Sequence, residues 1–386
     1  MKKVLILLAV ILTVNVAMAQ KKDCTSAYMY NKNGQYQKAM MTIEKSVNHE
    51  AFNGMKPSDQ AKAWLYRGMI YLNIYLSQDP EVKSLAPDAL NIAYESLTKS
   101  IAADPEFAQE NAQDVFPRIV AIEGQYFQMG IEKFNNAAYS DAATAFKKAY
   151  DISLSSQSID TTALINAALA SLKGELNEQA ISYYNDLQQL GYNKVDLYKN
   201  KASIYNAMGQ SDSALVAIAE GQALYPSDAS LTIEKVNIYL KQGKGIEAVN
   251  DLLKLNELDP NNASILFILG TIYGDENSNV FDSEKAIEYY NRAIEINNEY
   301  YDAIYNLGAL YITLSNKLKT EANDLPLEKV AEYDALIGQA EELISIGLPF
   351  VKKAYDMQPS PEVKAVLKSM YVQLKMNEEA KALDAE

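Results

Sequence analysis

Four alanines set the frame of this chain. Ala180, Ala214, Ala248 and Ala286 follow one another at intervals of 34, 34 and 38 residues. Each is followed four residues later by a bulky side chain, Tyr184, Ile218, Leu252 or Tyr290, and Pro226 and Pro260 stand twelve residues past their alanines. In several copies a second small residue precedes the alanine, with a tyrosine three residues after it, as Gly270 with Tyr273 and Gly308 with Tyr311. A spacing of four is about one helical turn, so the repeating unit is helical. A short helical unit cannot bury its apolar face alone, and so it must stack on its neighbours.

These offsets resemble the tetratricopeptide repeat, W-x2-L-G-x2-Y followed by A-x3-F and a proline over roughly 34 residues. Trp64, Gly68 and Tyr71 carry the opening, with Arg67 where leucine is expected. The resemblance implies an all-α fold, a right-handed superhelix, or α-solenoid, of helical hairpins. Small residues would sit where the two helices of a hairpin cross, large ones would fill the grooves, and proline would end the second helix. The alanine slot recurs nine times, at Ala39, Ala93, Ala142, Ala180, Ala214, Ala248, Ala286, Gly347 and Ala380. Residues 20–386 therefore read as one array of about nine units, best defined over 160–312, with capping helices at 361–386.

Insertions interrupt the register. Ser77 to Pro87 lengthens the second unit, and Ala108 to Pro117 extends the link to the third. The largest is a helical insertion over 316–346, where Val330, Tyr333, Ile337, Ala340 and Ile344 alternate spacings of three and four. That is a coiled-coil-like seam, and Leu310, Leu314 and Leu318 offer it a partner stripe. The pattern predicts a long hairpin turning near Asn323 to Pro326, with Pro349 kinking or restarting its second helix. Such a hairpin either extends the core or protrudes as a partner-binding element.

Composition removes most catalytic mechanisms. One cysteine (Cys24), one histidine (His49) and one tryptophan (Trp64) cannot build a structural zinc site, a CxxC redox pair or an internal disulfide. We therefore expect no metal, no cofactor and no enzyme activity. Asp275 to Asp282 begins like a calcium loop, but Val280 occupies the glycine place and Ala286 the glutamate place. His49 has no cysteine or serine motif beside it to make it catalytic.

Residues 1–19 read as a signal peptide, with Lys2 and Lys3, an apolar stretch from Val4 to Val16, and Ala17-Met18-Ala19 as the cleavage site. Removing them takes away two lysines from a chain whose formal charge is already −15. So acidic a protein is a poor partner for nucleic acid or anionic lipid. The expectation is an exported protein of the bacterial periplasm or outer envelope, not inserted in the membrane after signal cleavage. Cys24 is then an odd thiol that either sits inertly in the first helix or links two chains, so an oligomer is possible.

In tetratricopeptide proteins the first helices of the hairpins make the ligand face. The resemblance thus implies a non-catalytic protein-protein interaction scaffold whose peptide or protein partner meets Tyr66, Phe127, Asn166, Lys199, Asn200, Asn237, Phe267, Tyr305 and Asn306. Asn166, Asn200 and Asn306 share one slot, and amides both donate to and accept from a peptide backbone. Neighbouring positions such as Ile165 and Ile233 are apolar, so a full charged clamp for a terminal carboxylate is absent. Two alternatives remain: an α/α-toroid glycosidase working with two carboxylates, and a surface glycan-binding protein with embedded tetratricopeptide units. The 34-residue register and the single tryptophan weigh against both.

Overall fold

Helix boundaries follow from capping chemistry. Asp160, Asp228, Asn262, Asp282 and Ser360 each accept backbone N–H bonds at a helix start, satisfying donors that have no intrahelical partner. Pro57, Pro105 and Pro361 occupy first-turn positions, where the missing N–H costs nothing. Pro226 and Pro260 lie two residues beyond Leu224 and Leu258, the last residues of their helices.

The computed structural model describes residues 20–155 and 159–385, so the expected signal at 1–19 lies outside the described residues. Among the described residues there are helices and no strand. The chain divides into two compact units, one up to Tyr192 and one from Asn193. The first contains α1 (20–32), α2 (Tyr36–Val47), α3 (Pro57–Leu76), the short α4 (Pro80–Ser84), α5 (Ala89–Ala103), the short α6 (Pro105–Glu110), α7 (Ala112–Asn135), α8 (Tyr139–Ser155), α9 (Thr161–Lys173) and α10 (Asn177–Gln189). The second contains α11 (Val195–Ala207), α12 (Ser211–Leu224), α13 (Ala229–Lys241), α14 (Gly245–Leu258), α15 (Ala263–Gly274), α16 (Ser283–Ile296), α17 (Tyr301–Asn323), α18 (Val330–Met357), α19 (Pro361–Gln373) and α20 (Asn377–Ala385).

The helices pair as hairpins, and the small residues lie at the crossings. A Cβ on Gly68 would stand 2.8 Å from Leu97, one on Gly130 2.5 Å from the Phe146 ring, one on Gly270 2.7 Å from the Tyr290 ring, and one on Gly308 2.6 Å from Val351. Each of those large residues is four beyond its hairpin's alanine-slot residue, so the two halves of the repeat pattern are the two sides of one contact. Seven of the slot alanines, Ala39 through Ala286, are fully buried. Gly347 replaces alanine because a Cβ there would meet Tyr311 Cβ at 2.8 Å.

Six hairpins turn through one left-handed residue whose successor bonds back to the first helix, as Gln210 N to Tyr205 O and Lys244 N to Tyr239 O. Gly209 and Gly243 take that conformation freely, whereas Ala137, Glu175 and Lys375 adopt it at φ near 57–58°. Two expectations are corrected here. Ala108 to Pro117 is no link, because α6 and the first turns of α7 occupy it and α7 passes through Pro117. Nor does Pro349 restart a helix, since α18 runs unbroken from Val330 to Met357. The carbonyl that loses its donor belongs to Ser345, and both Ser345 and Pro349 lie on the exposed face of α18.

The seam of the long hairpin closes over Leu310, Ala340 and Ile344, all buried, and Ser315 Oγ donates to Ala340 O at 2.8 Å. It does not close over Val330 and Tyr333, which are exposed, so the expected stripe holds only for its inner half.

Candidate partner-binding surface

The first helices of the second unit bury one stripe and leave another partly exposed. On α11, Leu197, Tyr198, Lys201 and Ala202 are buried, while Lys199 and Asn200 between them are half-exposed. The same offsets place Glu234 on α13, Phe267 on α15, and Tyr305 and Asn306 on α17, while Asn237 on α13 occupies another slot and is the most exposed of these.

Charge on this row centres on Glu234. Burial pushes its carboxyl above the ordinary glutamate value, against the pull of the Lys199 and Lys241 ammonium groups. Lys199 also lies 3.9 Å from Asp196. Further along, the Tyr290 hydroxyl meets Thr271 Oγ1 at 3.3 Å and also hydrogen-bonds with the Asn306 side chain. The phenol titrates above its ordinary value because it is buried. Phe267 lies with its ring 5.2 Å from that of Tyr300 and 6.1 Å from that of Tyr290, and Tyr305 stacks parallel to Tyr301 at 6.1 Å. The row thus offers three amides, a lysine and a desolvated carboxylate beside half-buried aromatic faces, which suits a peptide backbone with apolar side chains.

The remaining expected residues belong to the first unit. Tyr66 stacks on Tyr28 at 4.5 Å with the Lys62 ammonium 5.6 Å from its ring. Phe127 meets Phe146 edge-on at 5.3 Å. Asn166 Nδ2 donates to Thr162 O at 2.9 Å, within its own helix.

A feature that spacing alone did not disclose is a set of cations in the repeat's leucine slot. Arg67 donates from Nε to Glu44 Oε1 at 2.7 Å and from Nη1 to Ser96 Oγ at 2.8 Å, and the Tyr71 hydroxyl donates to the same Glu44 oxygen at 2.8 Å. Lys235 pairs with Asp251 at 2.8 Å. Burial lowers the Lys201 ammonium's pKa, partly offset by Glu220. Leu269 and Leu307 fill the same slot in the next two hairpins, and reading it copy by copy would have found the exchange.

Other candidates have structural roles. Asp275 Oδ1 accepts from Asn277 N at 3.0 Å, and Asp282 caps α16. Among the described residues no cluster of histidine, cysteine or carboxylates is arranged to hold a metal ion. His49 Nδ1 accepts from Ala51 N at 3.1 Å, which requires that nitrogen unprotonated. Cys24 is buried against Ser46 Oγ at 3.0 Å, and burial raises its thiol pKa, so it behaves as a core residue. No described helix is long and apolar enough to cross a membrane.

No family model matches this chain. The photosystem I assembly protein Ycf3 of Rippkaea orientalis (strain PCC 8801 / RF-1) is 35% identical over 88 residues, 22% of this chain. The chain spans about half the length of that curated relative, 48%. Among solved structures, YrrB, a TPR protein with an unusual peptide-binding site, is 20% identical, covering 55% of this chain and 97% of its own at a TM-score of 0.35. A TPR repeats protein from Bacteroides fragilis NCTC 9343 is 18% identical, covering 66% of this chain and 98% of its own at a TM-score of 0.29. Hairpin after hairpin sets a small residue on its first helix against a large one, four beyond a slot residue, on its second, and that is the construction of an all-α solenoid of the tetratricopeptide-repeat type.

Proposed function

We propose that this protein is a non-catalytic scaffold that holds a peptide or protein partner on the first-helix row of its second unit, in the bacterial cell envelope. The observation that carries the reading is the row itself. Asn200 on α11, Glu234 on α13 and Asn306 on α17 put polar groups in one equivalent slot, with Lys199 beside it and Asn237 in another, and the neighbouring slot holds the half-buried rings of Phe267 and Tyr305. Such a row supplies backbone hydrogen bonds at intervals and side-chain pockets between them. Tyr66, Phe127 and Asn166 would act in the same way within the first unit. That the curated relative is an assembly protein supports a role in bringing other polypeptides together.

Affinity capture from an envelope extract tests this. The wild-type chain is expected to retain a protein that a variant with Asn166, Asn200 and Asn306 all changed to alanine does not. Recovery of the same proteins by both would end the proposal. Export is tested by fractionation and N-terminal sequencing, with a mature chain beginning at Gln20 as the expected result.

A further inference from the structure

The second unit has a surface outside the repeat slots, at the far end of the α17–α18 hairpin. Beyond Tyr311, α17 continues to Asn323, and six residues connect it to α18. Leu327 is 96% exposed, Val330 61% and Tyr333 39%. With Leu325 and Pro326 they line a cavity of about 390 Å³. Leu325 also lines a second, larger groove of about 790 Å³, whose walls are one face of α17 and the loop before α16. Three carboxylates, Glu276, Glu321 and Asp324, face that groove with one cation, Lys317. The loop wall is packed in place, with Asn279 against Gly245 and Phe281 5.6 Å from the Lys317 ammonium.

The charge around this apolar cavity is one-sided. Residues 321–334 hold five carboxylates and one lysine, Lys329, which Glu332 already holds at 2.8 Å. Glu276, Glu321 and Asp324 have no ion-pair partner among the described residues. A second copy of the chain would set five carboxylates against five, and an anionic lipid surface would repel the same groups. We propose that this end of the hairpin docks a polypeptide segment whose apolar side chains enter the Leu327–Val330–Tyr333 cavity and whose lysines or arginines reach the Glu276–Glu321–Asp324 groove. Apolar contact supplies the affinity and the carboxylates choose the partner by sign. No residue of the first-helix row lines either cavity, so this surface stands or falls separately from that row.

The test uses the full chain and two fluorescein-labelled helical peptides with one leucine pattern, the first carrying lysines and the second glutamates. Binding is followed by anisotropy and located by hydrogen exchange. Three variants are compared with wild type. Leu327→Ser/Val330→Ser/Tyr333→Ser removes the apolar part, Glu276→Gln/Glu321→Gln/Asp324→Asn removes the charge, and Val216→Ser/Ile246→Ser changes exposed apolar residues elsewhere. The lysine peptide should bind and protect residues 320–335, and the glutamate peptide should not bind. Each of the first two variants should weaken binding about tenfold or more, while the third should match wild type. Raising salt to about 0.5 M should weaken the wild type more than the amide variant.

Failure of the lysine peptide to bind would overturn the proposal, as would equal binding by all variants, which would assign the attraction to the chain's overall acidity. Self-association abolished by the serine variant would make the occupant a second copy. Binding to phosphatidylcholine vesicles abolished by that variant would make it a membrane.

Discussion

Gly308 and Gly338 lie on the two helices of one hairpin, and the same substitution should act on them in opposite directions. A Cβ on Gly308 would stand 2.6 Å from Val351 Cγ2, 3.2 Å from Val351 N and 3.4 Å from Gly347 O. The methyl group could turn away, but the amide nitrogen and the carbonyl belong to the backbone of α18. The helices would have to separate by several tenths of an ångström, opening the contact in which Gly347 faces Tyr311 Cβ. Overpacking of this kind costs about 1–3 kcal/mol, and the better helix propensity of alanine returns about 1 kcal/mol. Gly308→Ala is therefore expected to lose up to about 2 kcal/mol. A Cβ on Gly338 meets nothing within 4 Å, so Gly338→Ala keeps only the propensity term and gains about 0.5–1 kcal/mol.

Urea unfolding followed by circular dichroism reads both changes. Repeat arrays need not unfold in one step, so hydrogen exchange in α17 and α18 should show the same signs locally. A Gly308→Ala protein as stable as Gly338→Ala would refute the tight crossing, and with it the explanation of why glycine replaces alanine at 347.

Three further outcomes are expected. Glu175→Gly and Lys375→Gly relieve left-handed residues at hairpin turns and should each raise stability by about 0.5–1 kcal/mol in urea melts; a loss at either site would contradict the turn geometry. The Glu234 carboxyl is held above 4.5 by burial, so the folded state binds its proton more tightly than the unfolded chain does. Its stabilising contribution is complete below that ordinary value and is lost as pH rises through the raised one, so Glu234→Gln should melt higher than wild type at neutral pH and equally below pH 4.5. Equal melting at neutral pH would contradict the burial argument. Lys235→Leu alone should cost about 2 kcal/mol by leaving Asp251 without its closest cation, whereas Lys235→Leu/Asp251→Leu should equal or exceed wild type by up to about 3 kcal/mol; calorimetry that ranks the double variant below the single would refute it.

The crossings were legible in the sequence because they are local in both helices of a hairpin. Gly270, Ala286 and Tyr290 declare one contact by their spacing alone, and Gly68, Ala93 and Leu97 declare another. The outer half of the long hairpin was not legible, because periodicity names a stripe without saying how far its partner extends. Leu310, Leu314 and Leu318 end well before the turn, so Val330 and Tyr333 continue a stripe that meets no leucine of α17. Glu234 was missed for a related reason. Its perturbation comes from burial, against the pull of Lys199 and Lys241, and burial is set by stacking and not by spacing along the sequence.

The leucine slot shows how near-identical units can keep their order. A leucine there, as at Leu269 or Leu307, packs against any apolar neighbour, so a hairpin displaced by one unit would lose little. Lys235 does not change this, because its partner Asp251 lies on α14 of its own hairpin and moves with it. Arg67 does, since its guanidinium spans Glu44 of the preceding hairpin and Ser96 of its own and lies 5.0 Å from the Tyr71 ring, so a displaced hairpin would bury that charge without Glu44. Such a pair adds less to stability than a leucine would, but it penalises the wrong neighbour far more than the right one rewards. Where repeats are alike enough to be confused, that difference between correct and incorrect stacking gives the hairpins a defined sequence of neighbours, which a surface read slot by slot requires.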